Sequence, residues 1–380
     1  MLDESLLDAP DALARADRRG LLRGAAEAGA RVRTALRHTA EAGVAELNPE
    51  GRPRAVLLAG SGAAATGVAD LIAALAGAAA PVTRLRPTGV APAAGALRWA
   101  LPGWAGPVDL LLIATTDGSE PGLALLAEQA YRRGCTVVAV APRQSPLSES
   151  VDGARGLLVP MATTPTEEYE KEATPAAGPG ALWSLLVPLL VLLDRVGLLT
   201  APVGTLQLVA DRLDRTAERC GPAIATYSNP AKTLAAELAD NLPLIWTEGT
   251  AAAPAGRRFA AVLAELTGRP ALAAELPEAI PAHGALLAGD LAGGADPGDD
   301  FFRDRVEDHQ ALRARIVLLR DRPAGGLTAA PAVRELALGH DTAISELEPE
   351  DGSELEALAE LVAVTDFATV YLALAGGAPA

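Results

Sequence analysis

The feature that most constrains the fold is an alternation of short, mostly apolar segments with helical ones in the first half of the chain. Segments that are apolar without a break indicate strands covered on both faces, and intervening helices indicate that neighbouring strands run parallel. The predicted strands are 55–60, 81–87, 108–116, 135–142 and 156–161. The clearest predicted helices between them are 64–77 and 123–133.

The second half repeats this pattern more loosely. Its predicted strands are 243–249, 315–321 and 342–349, and its predicted helices are 229–242, 256–266, 329–338 and 354–375. Asn229 followed by Pro230 is typical of a capped helix start. We therefore predict an α/β protein with two domains, each a parallel sheet between two layers of helices. The predicted limits are 1–47 for two N-terminal helices, 48–222 for the first domain and 223–380 for the second.

Composition excludes some classes of partner. The net charge of −16, without a dense basic run, argues against nucleic acid. Segment 181–193 is apolar but shorter than the roughly 20 residues of a spanning helix, so it predicts a buried core helix and no membrane association. The acidic N-terminus is not typical of a signal peptide. Two cysteines without metal-site spacing indicate a reducing compartment, and we expect a cytoplasmic protein with no metal site.

Two turns at the ends of predicted strands are candidate ligand sites. Residues 57–70 form a strand, a glycine turn and a helix start, an arrangement whose free N–H groups attract anions. The third strand ends in a turn rich in hydroxyls, at the edge where open α/β sheets bind ligands. The alternative is that these residues only form tight turns and cap helices. The candidate binding residues are Gly60, Ser61, Gly62, Thr115, Thr116, Gly118 and Ser119.

A dinucleotide cofactor fits this glycine turn poorly. Ala65 stands where the fingerprint has its third glycine, and no acidic residue ends the second strand to hold a ribose. A nucleotide-dependent enzyme is therefore the third and weakest hypothesis, and we predict no cofactor.

The order of these motifs, followed by Asn-Pro-Ala-Lys at 229–232 and a long closing helix at 354–375, resembles the sugar isomerase (SIS) domain superfamily. Within it the chain is similar to the bifunctional phosphoglucose/phosphomannose isomerases in their longer bacterial form. In the closing helix Asp366 and Tyr371 match that family. The resemblance implies two SIS domains per subunit, homodimers, and aldose–ketose isomerisation of a hexose 6-phosphate.

The resemblance also implies residue roles. Glu265, in a segment similar to the family's Glu-Asn-x-Lys-x-Pro-Ala, matches the carboxylate that moves a proton between C1 and C2. His283 lies two positions beyond the place of the ring-opening histidine, where this chain has Pro281. The family's C-terminal lysine has no counterpart after Lys232.

The phosphate loop departs from the family as well. Asp117 replaces a serine and Glu120 a threonine of the form Ser-Tyr-Ser-Gly-Asn-Thr, and the arginine before the next helix is missing from 174–183. A carboxylate about 4 Å from a phosphate costs roughly 4 kcal/mol per pair of unit charges near a protein surface.

Two hypotheses about function follow. In the first, the chain is a sugar-phosphate isomerase of weak or lost activity, with Glu265 and His283 as its catalytic pair. In the second, it is a non-catalytic SIS protein that binds a carbohydrate derivative or a protein partner in a regulatory role. Under either hypothesis we expect a homodimer whose small-molecule ligand is a hexose phosphate or a related carbohydrate.

Overall fold

The computed structural model describes residues 2–47, 51–91, 93–163, 178–288, 313–321 and 327–376. The chain divides into two compact units. One, here called the glycine-loop unit, is Arg23–Arg215; the other, here called the C-terminal unit, is Met1–Leu22 together with Thr216–Ala380. The domain limits expected from the sequence, at 47/48 and 222/223, stay a prediction.

The glycine-loop unit is built on a five-stranded parallel sheet in the order β2-β1-β3-β4-β5. Its strands are β1 (Val56–Ala59), β2 (Val82–Leu85), β3 (Leu110–Ala114), β4 (Thr136–Ala141) and β5 (Leu157–Pro160). All five confirm predicted strands. The central strand β3 is buried along its whole length, as an unbroken apolar run requires.

Helices cover both faces of this sheet. One face packs on α6 and α7, around a cluster that includes Leu111, Leu126 and Leu147. The helices of the unit are α3 (Leu21–Ala26), which begins just before it, α4 (Ala28–Glu41), α5 (Gly62–Ala76), α6 (Pro121–Arg132), α7 (Pro146–Gly153), α8 (Ala181–Arg195) and α9 (Val203–Arg219). Helix α7 was not predicted. Its signal is the capping box of Ser145 and Ser148 ahead of a short apolar face.

The C-terminal unit is built on a four-stranded parallel sheet in the order β7-β6-β8-β9. Its strands are β6 (Asn241–Glu248), β7 (Leu272–Glu275), β8 (Arg313–Arg320) and β9 (Ala343–Leu347). Its helices are α1 (Glu4–Leu7), α2 (Pro10–Ala16), α10 (Pro230–Leu238), α11 (Ala252–Thr267), α12 (Ala279–Ala288), α13 (Ala330–Gly339) and α14 (Glu354–Ala375). The fold class is thus confirmed in both units.

Two elements of this unit escaped the sequence pattern. Strand β7 is a short edge strand of partly exposed small residues, so it lacks both alternation and an apolar run. Helix α12 contains Pro281 and Gly284, two residues that ordinarily interrupt helices.

The opening residues form four helices, α1 to α4, where two were predicted. Asp17 explains the interruption between α2 and α3, because its carboxylate accepts hydrogen bonds from the backbone N–H groups of Leu21 and Leu22, at 2.7 and 2.8 Å. Gly20, at φ 65°, makes the accompanying turn.

One helix among the described residues is long and apolar enough to cross a membrane, namely α14. In this helix 89% of the most apolar 18 residues are inside the protein. Burial of this kind is typical of a core helix.

Candidate functional site

Gly60 ends β1 at a point of very close packing. A Cβ atom at this position would lie 2.1 Å from the carbonyl oxygen of Ala114 and 2.7 Å from the Cβ of Ala65. The glycine is therefore required by contact with β3 and α5. The alanine that departs from the dinucleotide fingerprint is the side chain that Gly60 makes room for.

The residues after Gly60 begin helix α5. Ser61 is its N-cap residue, but the Ser61 hydroxyl makes no capping bond to the helix. Gly62 follows at φ 81°, a conformation that favours glycine. Because the Ser61 hydroxyl does not bond to the helix that it precedes, it can bond to a group elsewhere.

The second turn is organised by Thr115, which follows β3. Its Oγ1 accepts hydrogen bonds from the backbone N–H groups of Asp117 and Gly118, both at 3.2 Å. Gly118 has φ 71°, and a Cβ there would lie 2.6 Å from Ser145. These contacts fix the turn so that the hydroxyl hydrogen of Thr115 points to a single acceptor.

That acceptor is the carboxylate of Glu120, which joins the two turns. Its Oε1 accepts from Ser61 Oγ at 2.6 Å and from Thr115 Oγ1 at 2.9 Å. Glu120 is 2% exposed. The structure therefore brings Ser61 and Thr115 together around a carboxylate of the chain itself.

Gly118 joins this cluster through its backbone N–H, whereas the structure shows no hydrogen bond from the side chains of Ser119 and Thr116 to Glu120. Ser119 is exposed and donates to Asp117 Oδ2 at 2.5 Å. Thr116 is half-buried. Because a carboxylate occupies the space between the β1 and β3 turns, the arrangement can accept hydrogen bonds from a ligand better than it can hold an anion.

Glu265, the candidate proton carrier, lies in the last turn of α11. Helix α11 starts after β6 and leads to the start of β7, so Glu265 lies towards the amino ends of the strands in its own unit. Although Glu265 is exposed, neighbouring protein partly desolvates its carboxyl and raises its pKa, and Arg19 opposes the rise. A raised pKa suits a carboxylate that exchanges protons, but its catalytic role stays a prediction.

His283, the candidate acid, lies on α12 and is held by Trp246 of β6. The Trp246 indole N–H donates to His283 Nδ1 at 2.9 Å. Indole nitrogen is a donor only, so this bond requires an unprotonated Nδ1 and places the hydrogen of the neutral ring on Nε2. Burial lowers the pKa of His283 as well. The ring is thus held neutral, with Nε2–H as its donor.

Lys232, of the Asn-Pro-Ala-Lys motif at 229–232, has a structural role. It is 0% exposed, and its Nζ donates to the carbonyl oxygens of Pro222 and Ile224 at 2.8 and 2.7 Å. The ammonium group also lies 5.5 Å from the ring centre of Tyr371. These contacts bind the segment before α10 and leave the lysine no access to a ligand.

Two further carboxylates that sequence reasoning missed lie at the carboxyl edge of the second sheet. Asp321, after β8, accepts hydrogen bonds from the backbone N–H groups of Ala251 and Ala252 at the start of α11, at 2.7 and 3.1 Å. Glu248, the last residue of β6, accepts from the Thr328 hydroxyl at 2.6 Å and from the Ala329 backbone N–H at 2.5 Å. Each carboxylate thus occupies a helix start that would otherwise attract an outside anion.

These environments shift the pKa values of Asp321 and Glu248 in opposite directions. Burial raises the pKa of Asp321, and the charge of Glu248 adds to the rise. Burial alone would raise the pKa of Glu248, but hydrogen bonds from Thr328, Ala329 and Arg320 outweigh it and the pKa is lowered. Within the described ranges no group of three or more His, Cys, Asp or Glu side chains is placed to hold a metal ion.

Comparison with known families identifies part of the chain. Residues 227–379 match the family described as the bacterial phospho-glucose isomerase C-terminal SIS domain. The match covers less than half of the chain and lies within the C-terminal unit. No curated protein sequence matches the chain.

Solved structures resemble the chain over nearly its whole length. A hypothetical protein from Thermus thermophilus has a TM-score of 0.63 at 14% identity, over 97% of this chain and 89% of that one. A putative phosphosugar isomerase from Clostridium difficile 630 has a TM-score of 0.62 at 11% identity, over 94% and 93%. One from Silicibacter pomeroyi DSS-3 has a TM-score of 0.56 at 15% identity, over 94% and 97%. At these identities the likeness shows a shared fold and nothing more.

Proposed function

We propose that this protein is a non-catalytic SIS-fold protein that binds a carbohydrate derivative at the carboxyl edge of the glycine-loop unit. The observation that carries the proposal is the Glu120 carboxylate, which already accepts the hydroxyl hydrogens of Ser61 and Thr115. The ligand class comes from the family match of residues 227–379 and from the fold.

The energy balance disfavours a phosphate at this position. A phosphate dianion about 4 Å from the carboxylate would cost roughly 8 kcal/mol at the effective dielectric near a protein surface. Two charge-assisted hydrogen bonds from hydroxyls return about 3–6 kcal/mol, and here Glu120 already uses them. A neutral ligand that presents hydroxyl groups has no such charge conflict with Glu120.

An active isomerase of the phosphoglucose/phosphomannose kind is the second candidate. Two observations favour it: the family match of residues 227–379, and the raised pKa of Glu265 within that match. In that case Glu265 is the base and His283, with its Nε2–H, the group that opens the sugar ring. The neutral state that Trp246 imposes makes His283 a weak proton donor, which favours the non-catalytic proposal.

A coupled assay of fructose 6-phosphate isomerisation on the purified protein separates the two. We expect turnover far below the roughly 10 per second of a typical enzyme, together with no thermal stabilisation by hexose 6-phosphates. Ordinary turnover that disappears in Glu265→Gln and survives in the matched exposed variant Glu335→Gln would overturn the proposal and establish the isomerase.

We also propose a cytoplasmic homodimer, on the resemblance alone. Light scattering of the purified chain tests the dimer directly. A mass of one chain at micromolar concentration would contradict it.

A further inference from the structure

The Asp321 carboxylate, which follows β8 at the carboxyl edge of the four-stranded sheet, has hydrogen bonds to only one of its two oxygens. Oδ2 accepts from the backbone N–H groups of Ala251 and Ala252, at 2.7 and 3.1 Å. Oδ1 is buried and has no hydrogen-bond partner among the described residues. Asp321 as a whole is 8% exposed. A buried oxygen of an ionised carboxyl group that lacks a donor destabilises the folded protein.

Oδ1 lies against the glycine turn that joins β6 to α11. Gly249, in this turn, has φ 115°. A Cβ atom at this position would lie 1.5 Å from Asp321 Oδ1. The oxygen therefore contacts backbone, and no side chain at position 249 can supply it with a donor.

The charge of Asp321 has no cation paired with it in the part of the chain that the structure describes. Arg320, the preceding residue on β8, pairs with Glu248 at 3.2 Å and with Glu348 at 3.3 Å. The first turns of α11 and α13, which also begin at this edge, contain no charged residue.

The charged groups that act on Asp321 are two further carboxylates, Glu248 at the end of β6 and Glu354 at the start of α14. Desolvation by the surrounding protein raises the pKa of both Asp321 and Glu354. The charge of Glu248 adds to the rise for Asp321, and the charge of Asp321 adds to the rise for Glu354. Asp321 and Glu354 are thus coupled, and each makes ionisation of the other less favourable.

We propose that Asp321 and Glu354 share one proton, taken up from solvent at mildly acidic pH, and that this proton fastens the start of α14 to the end of β8. The proton gives Asp321 Oδ1 the hydrogen that no donor among the described residues supplies. It also removes one of three negative charges at this edge. The two groups titrate as a pair, so the proton belongs to neither alone. This proton switch does not depend on the function proposed for the glycine-loop unit.

The direction of the pH effect follows from the raised pKa. A group whose pKa is raised in the folded protein binds its proton more readily there than in the unfolded chain. The stability that Asp321 contributes is therefore complete below its ordinary pKa of 3.8 and is lost as the pH rises through the raised value. Glu248, whose pKa is lowered, has the opposite dependence.

Urea denaturation of Asp321→Asn between pH 4 and pH 8 tests the proposal. The amide keeps an oxygen for the N–H groups of Ala251 and Ala252 and places a neutral donor where Oδ1 lies. At pH 7 we expect a ratio of folded to unfolded protein at least about three-fold higher than in the unmodified protein, and we expect the difference to disappear towards pH 4. Asp240→Asn, which neutralises an exposed carboxyl of the same unit, should keep the ratio within about two-fold at every pH.

Carbon NMR of labelled carboxyl groups locates the proton. We expect the Asp321 and Glu354 resonances to titrate over the same pH range, above their ordinary values of 3.8 and 4.5. Glu354→Gln should lower the titration midpoint of Asp321, and the exposed control Glu335→Gln should leave it unchanged.

Three results would each overturn the proposal. The first is an Asp321→Asn protein that is no more stable than the unmodified protein at pH 7, or whose advantage is the same at pH 4. The second is an Asp321 midpoint at or below 3.8. The third is a midpoint that Glu354→Gln does not change. None of these results bears on ligand binding in the glycine-loop unit.

Discussion

At the scale of single residues, the chemistry of the candidate site is decided by Glu120. Ser61 and Thr115, two of the candidate binding residues, both donate to the same carboxylate oxygen. A negative charge supplied by the chain thus takes the place of one supplied by a ligand. The two hydroxyls in the sequence do not reveal this arrangement, because what they bind depends on which acceptor lies between them.

A second residue-scale feature, the bond from Trp246 to His283, gives a test by titration. Replacing Trp246 by Phe removes a donor that only a neutral imidazole can accept, so the pKa of His283 should rise towards its ordinary value. NMR titration of the imidazole resonances measures the shift.

The matched control for this titration is Trp99→Phe. Trp99 is also a buried tryptophan, but among the described residues its Nε1 has no hydrogen-bond partner. The control should leave the pKa of His283 unchanged. An unchanged pKa in Trp246→Phe itself would show that the indole does not set the protonation state of the histidine.

At the scale of elements, backbone N–H groups at two helix starts on the carboxyl edge of the second sheet donate to carboxylates of the chain itself. Asp321 serves the start of α11, and Glu248 serves the start of α13. The first N–H groups of a helix lack intrahelical partners and carry partial positive charge, so a buried carboxylate stabilises them. The same arrangement removes two places where an external anion would bind.

The contribution of Glu248 to the stability of the protein depends on pH. Its pKa is lowered from 4.5 in the folded protein, so its contribution to stability is complete above that value and is lost as the pH falls through the lower folded pKa. Glu248→Gln should therefore reduce the free energy of unfolding by about 1–3 kcal/mol at pH 7. The difference from the unmodified protein should shrink steadily below pH 4.5.

Urea denaturation across this pH range measures the effect. Glu335→Gln, which removes an exposed carboxylate on α13, should change stability by less than about 0.5 kcal/mol at every pH. A loss in Glu248→Gln that is the same at pH 7 and at pH 4 would show that the charge of Glu248 does not support the helix.

At the scale of the whole molecule, the two units repeat one design. Each has a central pair of parallel strands, β1 with β3 and β6 with β8. In each, a carboxylate located after one strand of the pair bonds to the first residues of the segment after the other strand. Glu120 bonds to Ser61 in this way, and Asp321 to Ala251. The repeat of the α/β pattern expected from the sequence thus extends to these carboxylate bonds at the carboxyl edges of the two sheets.

The sequence predicted the parts of this design that depend on pattern. Short, mostly apolar runs predicted the strands of the first sheet, and the Asn229-Pro230 start predicted α10. The sequence pattern did not predict β7 or α12. The residues of β7 are small and partly exposed, and α12 contains Pro281 and Gly284, so neither segment shows a regular hydrophobic period. The sequence indicated Ser61 and Thr115 as candidate binding residues, but the acceptor between them is set by a buried side-chain conformation, which no spacing reveals.

The central claim is that an internal carboxylate excludes phosphate from the glycine-loop unit. Its most direct test is calorimetric titration of glucose 6-phosphate into the unmodified protein and into Glu120→Thr, with Glu149→Thr, an exposed position on α7, as the matched control. We predict no binding to the unmodified protein or to the control, and binding to Glu120→Thr with an affinity at least about a hundred-fold higher. Binding to the unmodified protein that equals binding to Glu120→Thr would contradict the claim.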